Sequence, residues 1–121
     1  MTWQRAVGGL SLASSIFLGA YGSHGLGSNP NITAKETKQW ETATKYQQLH
    51  SFGLIVLPSV IPPQHKLCLS ISSGLFTAGT LLFSGGIYAK VITDEPNVGK
   101  AAPVGGSCLA LGWVVLALLR R

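Results

Sequence analysis

Charge is scarce in this sequence. Asp, Glu, Lys and Arg make up 11% of its 121 residues, against about 25% in soluble domains. That is too little to build a water-facing surface around the single domain that this length allows. The scarcity is also uneven. No charged residue stands between Arg5 and Lys35, Lys45 and Lys66, Lys66 and Lys90, or Lys100 and Arg120, gaps of 29, 20, 23 and 19 residues. A helix needs about 20 residues to cross a bilayer. A buried helix of a soluble protein would explain one such gap, but four together argue for a membrane domain.

Other absences narrow the function. The four acids, Glu36, Glu41, Asp94 and Glu95, all lie outside the apolar stretches, so an ion or proton path lacks its usual intramembrane groups. The sequence has no G-x-S-x-G elbow, phosphate loop, H-E-x-x-H or C-x-x-C, and no enzyme activity is expected. Two cysteines make no disulfide framework. Cys68 and Cys108 fall near opposite ends of their helices, on the order of 20 Å apart in depth, and read as packing residues. The net charge of +5 does not point to nucleic acid, because the basic residues punctuate the apolar segments as headgroup anchors would.

What is abundant is apolar and small: 46% hydrophobic residues and 15 glycines. The expected fold is all-α, a four-helix transmembrane bundle forming one domain over 1–121 with both termini on the same side. The spans are placed at about 4–22, 42–61, 67–92 and 102–119. The basic and apolar start also resembles a signal peptide, but its length is that of a full span and retention is expected. Thr33-Ala34-Lys35-Glu36 fits a capping box, so an amphipathic helical lead-in should occupy about 34–45 before the second span. That span is poor in apolar residues, and Pro58 or Pro62-Pro63 should end it. Small residues at spacings suited to close helix approach select Gly9, Ala13, Gly19, Gly22, Gly25, Gly74, Ala78, Gly85, Gly86, Gly105 and Gly106 as packing positions.

One polar constellation stands out. An even number of crossings places the exit of the first span and the start of the second at one face of the membrane. His24 should then lie at a depth similar to His50, with Tyr46 and Gln47 within a turn of it. Three readings compete: an interhelical hydrogen-bond cluster, a metal or haem site on the two imidazoles, and a pocket for a lipid, quinone or other small ligand. The metal reading is the weakest, since no Cys or carboxylate lies beside the histidines. No cofactor or metal is expected. The partners expected are the bilayer, other membrane subunits and bound phospholipid.

The stretches G-A-Y-G-S-H-G-L, T-A-T-K-Y-Q-Q-L-H, L-F-S-G-G-I-Y and P-V-G-G with a later G-W occur in this order. Together they resemble the YgdD-like family of short four-span membrane proteins, known in vertebrates as transmembrane protein 256. The likeness covers nearly the whole chain. It marks Gly19, Gly22, His24, Gly25, Tyr46, Gln47, His50, Ser84, Gly85, Tyr88, Pro103, Gly105, Gly106, Gly112 and Trp113. It implies a four-helix membrane fold of unknown function and supplies no catalytic residue. The turn D-E-P-N-V-G-K-A-A-P is similar to eukaryotic members, which implies the mitochondrial inner membrane in preference to a bacterial one. The glycine-rich faces, the lack of intramembrane charge and the absence of an enzyme motif give the expectation of an accessory subunit in a larger, respiratory membrane assembly.

Overall fold

A computed structural model describes residues 2–121. Four helices follow one another: α1 (Trp3–Tyr21), α2 (Ala34–Val60), α3 (Lys66–Thr93) and α4 (Ala101–Leu118). A π turn, Gly22–Leu26, extends α1, and short 3₁₀ turns, Pro63–His65 and Pro96–Lys100, precede α3 and α4.

The helix boundaries follow from local chemistry. At the start of α2, the Glu36 N–H donates to Thr33 Oγ1 at 3.1 Å and the Thr33 N–H donates to Glu36 Oε1 at 3.3 Å. Both exposed donors are thereby satisfied in one reciprocal box. Pro58 lies inside α2 without ending it. The stop is the Pro62-Pro63 pair, where Pro62 adopts an extended conformation (φ −60°, ψ 148°). At the end of α3, Asp94 takes the left-handed conformation (φ 56°, ψ 31°), a position that Asp tolerates better than most residues with a Cβ.

Each helix packs chiefly on its neighbours in the chain: α1 on α2, α2 on α3 and α3 on α4. The seams place the chain ends at one end of the bundle. Gly8 of α1 meets Ser51 and Ile55 of α2. At the same end, the Cys68 N–H donates to Arg121 O at 2.7 Å. Two modest apolar clusters fill the interior: Leu54, Leu57, Phe76 and Leu109, and nearer the two connectors Leu26, Trp40 and Val91. Outside, Leu10, Phe17 and Leu118 are 75%, 76% and 74% exposed. The apolar belt is on the outside, as a bilayer requires.

Three segments, Trp3–Leu26, Pro63–Thr93 and Pro96–Leu118, are long and apolar enough to cross a membrane. α2 does not qualify on composition, although it lies between α1 and α3 along their length. Its lead-in is also no separate surface helix, since Trp40, Ala43 and Thr44 are buried while Lys35, Lys38 and Lys45 face outward.

Lipid supplies no hydrophobic drive for helix association, so close approach and polar bonds must hold the helices together. The close approaches fall partly on positions that were expected and partly on others. A Cβ on Gly8 would lie 2.7 Å from Ser51 O, and one on Gly79 would lie 2.9 Å from Gly105 O. A Cβ on Gly105 would collide with the Phe83 N, and one on Gly112 would lie 2.5 Å from the Phe76 ring. Of the expected positions, Gly19, Gly22, Gly86, Gly105 and Gly106 do face other segments, and Gly25 faces the Tyr21 ring. Gly9, Gly74 and Gly85 meet nothing within 4 Å, and Ala13 and Ala78 are exposed. In a helix dense with small residues the same spacing occurs on more than one face, and spacing alone does not say which face is turned inward.

Candidate functional site

α2 is the polar hub of the molecule. Its buried side chains include Thr44, Gln47, His50 and Ser51, which would be costly in lipid without partners. Each engages one or more of the other helices or its own backbone. Toward α1, Gln47 Nε2 donates to Ser11 O at 2.9 Å, and Ser51 Oγ donates to Ser11 Oγ at 2.6 Å. Two turns further along, Trp40 Nε1 donates to Leu18 O at 2.8 Å. Toward α3, the Tyr88 hydroxyl donates to Gln47 Oε1 at 2.7 Å and lies 3.2 Å from Thr44 Oγ1. Ser84 Oγ reaches the Ala43 carbonyl at 2.7 Å.

His50 carries the link to α4. Trp113 Nε1 lies 2.9 Å from His50 Nε2, and His50 Nδ1 lies 2.7 Å from the Tyr46 carbonyl. An indole nitrogen can only donate, so Nε2 must accept and the ring proton sits on Nδ1, donating to Tyr46 O. The imidazole is held neutral with both nitrogens engaged. Phe76 packs edge-on against it, ring centroids 5.0 Å apart.

The structure separates His24 from this group. His24 is exposed on the π turn, where its carbonyl accepts from Ser28 Oγ. α1 and α2 run antiparallel, pairing Leu18 with Trp40 and Ser11 with Gln47 and Ser51. In that register His24 lies level with the beginning of α2, and His50 lies more than three turns deeper, on the order of 20 Å away. The expectation of similar depth placed the lead-in outside the bundle, whereas it packs against α1 from Trp40 onward. Tyr46 is 40% exposed and stacks on Phe83, with ring centroids 4.9 Å apart. Of the four expected residues, Gln47 and His50 share the interior, Tyr46 contributes its carbonyl, and His24 stands apart.

Sequence reasoning about the cluster passed over Ser11, Ser51, Tyr88 and Trp113. Tyr88 and Trp113 carried a signal, because the family resemblance marks both. Ser11 and Ser51 carried none, since single serines are ordinary in apolar helices. Among the described residues no group of three His, Cys, Asp or Glu side chains could hold a metal. The arrangement joins four helices through neutral hydrogen bonds and presents no paired acid and base.

The sequence profile of a family described as "Protein of unknown function (DUF423)" matches residues 18–106, which takes in α2 and α3 whole with the end of α1 and the start of α4, and leaves Ser11 and Trp113 outside the match. The chain belongs to the DUF423 family. A UPF0382 membrane protein of Staphylococcus aureus (strain bovine RF122 / ET3-1) is 31% identical over 112 residues, covering 93% of this chain and 89% of that protein. The UPF0382 membrane protein YwdK of Bacillus subtilis (strain 168) is 28% identical over 113 residues, covering 93% and 90%. No solved structure matches the chain. This DUF423 protein is thus a short integral membrane protein in a family of unknown function, as the sequence resemblance implied.

Proposed function

We propose that this DUF423 protein is a non-catalytic accessory subunit of a larger membrane assembly. The observation that carries this reading is the outward placement of small residues. Ser70, Gly74 and Ala78 form an exposed stripe on α3, and half-buried Gly9 with exposed Ala13 a second stripe on α1. Gly9 and Gly74 meet nothing within 4 Å. Small residues four apart let a further helix approach closely in lipid, and here the molecule's own helices leave those faces open. The buried polar groups of α2 are engaged by their neighbours, which supports a packing role for the hub in preference to catalysis. Replacing Gly74 and Ala78 by Leu should release the protein from its assembly on native gels after gentle extraction, with its own unfolding unchanged. Migration of the wild type as a free monomer under those conditions would refute the proposal.

The mitochondrial and respiratory placement rests on the turn at Asp94–Pro103 alone, and the bacterial relatives lend it no support. Fractionation of the source cells tests it: co-sedimentation with inner mitochondrial membranes would sustain it, and recovery in any other membrane would remove it.

A second reading, a lipid- or quinone-binding module, has one observation in its favour. A cavity of about 300 Å³ lies between α1 and α3 above Ser51, lined by Val7, Leu54, Thr80 and Leu81 among others. The Thr80 hydroxyl is buried without a partner. His24 has no place in this version, because it lies at the other end of α1. Binding of a quinone analogue that is lost in Thr80→Val would favour the module, and unchanged binding would count against this cavity.

A further inference from the structure

The charges are sorted by end. All four carboxylates, Glu36, Glu41, Asp94 and Glu95, belong to the two connectors or to the first turns of α2. The opposite end, where the chain termini meet the α2–α3 turn, holds Arg5, Lys66, Arg120 and Arg121 and no Asp or Glu side chain. A cleft of about 350 Å³ opens at this acid-free end. One wall is the turn after α2 with the start of α3, including Ile61, Pro62 and Cys68, and the other is the end of α4 with Leu116 and Leu119.

Two groups give the cleft a polar side. Arg120 lines it with an exposed cation. His65 lines it as well, and its Nδ1 is buried without a hydrogen-bond partner. The hydrogen bond from the Cys68 N–H to Arg121 O, at 2.7 Å, fixes the residues after α4 against the start of α3 and so sets the cleft's width. The walls are mostly apolar, the cations sit at the helix ends, and no Asp or Glu side chain offsets them.

We propose that this cleft binds the headgroup of an anionic phospholipid, with Arg120 and His65 on the phosphodiester and the acyl chains against the apolar walls. The charge match selects an anionic lipid over a zwitterionic one. Each Lys or Arg near an anionic surface contributes attraction equivalent to about fivefold in binding. The apolar walls select a lipid over a free anion, which would gain nothing from Ile61, Leu116 and Leu119. The inference is independent of whether the protein serves a larger assembly.

The test uses the full chain in neutral detergent micelles, titrated with fluorescent phosphatidylglycerol and with the matching phosphatidylcholine. Phosphatidylglycerol should bind preferentially. Arg120→Gln should weaken it about fivefold, and adding His65→Ala should weaken it further, with the unfolding temperature of each variant close to that of the wild type. Lys35→Gln with Lys38→Gln, which removes two charges from the opposite end, should leave binding as it was. Arg120→Lys should keep most of the preference. Equal binding of the two lipids would overturn the proposal. So would an equal loss in the Lys35/Lys38 variant, or displacement of the lipid by millimolar inorganic phosphate.

Discussion

His50 shows how one side chain can be polar, intramembrane and still structural. Its two nitrogens face one donor and one acceptor, Trp113 Nε1 and the Tyr46 carbonyl, and this fixes its tautomer. Trp113→Phe keeps the ring and removes the N–H, leaving Nε2 without a partner. The expected cost is about 0.6 to 1.7 kcal/mol, the span measured for interhelical bonds in membranes, read by unfolding in mixed micelles. Adding His50→Phe should recover part of the loss, because an apolar pair leaves no orphaned acceptor. A double variant as unstable as the sum of the singles would mean that the two residues do not interact. Gln47 is bonded on both sides, to Ser11 and to Tyr88. Gln47→Leu should therefore destabilise the protein more than Tyr88→Phe, which breaks only one of those bonds.

Among the elements, α2 matters most because its sequence is least suited to lipid. Helices α1, α3 and α4 are apolar enough to cross on their own, whereas α2 relies on Ser11, Tyr88, Ser84 and Trp113 to partner its polar groups. The contact register can be tested with adjacent glycines. Gly8→Leu drives a side chain into Ser51 and Ile55 and should cost about 1–3 kcal/mol or more, while Gly9→Leu meets open space and should leave stability unchanged. Equal effects would contradict the α1–α2 seam. Much of this was legible in the sequence: the capping box gave the start of α2 at Ala34, the charge gaps marked the apolar helices α1, α3 and α4, and of the two proline sites that could end α2 the pair does so. The face of each helix was not legible. Gly8 and Gly9 are adjacent and chemically identical, and only the register with Ser51 and Ile55 distinguishes them. His24 was misplaced in depth for a related reason, since the polar residues of the lead-in concealed Trp40, Ala43 and Thr44 docking on its inner side.

At the scale of the whole molecule, both termini meet the α2–α3 turn at one end, and the two longer connectors meet at the other. Basic residues without Asp or Glu mark the first end, and all four acidic side chains mark the second. The bundle is built as successive neighbours, which leaves outward faces of α1 and α3 free. Antiparallel succession was readable from the charge gaps, because four crossings return the chain to its starting side. The open faces were not, since nothing in a list of spans says whether the first helix closes against the last.

The central claim is that α2 crosses the membrane despite its composition, because its neighbours take up its polar groups. Single cysteines placed in a chain carrying Cys68→Ala and Cys108→Ala, and labelled in sealed vesicles with a membrane-impermeant maleimide, test it directly. Thr2→Cys, Gln64→Cys and Arg121→Cys should react from one side, and Ser28→Cys and Asn97→Cys only from the other. Labelling of Ser28→Cys and Gln64→Cys from the same side would show that α2 does not cross, and would contradict the claim.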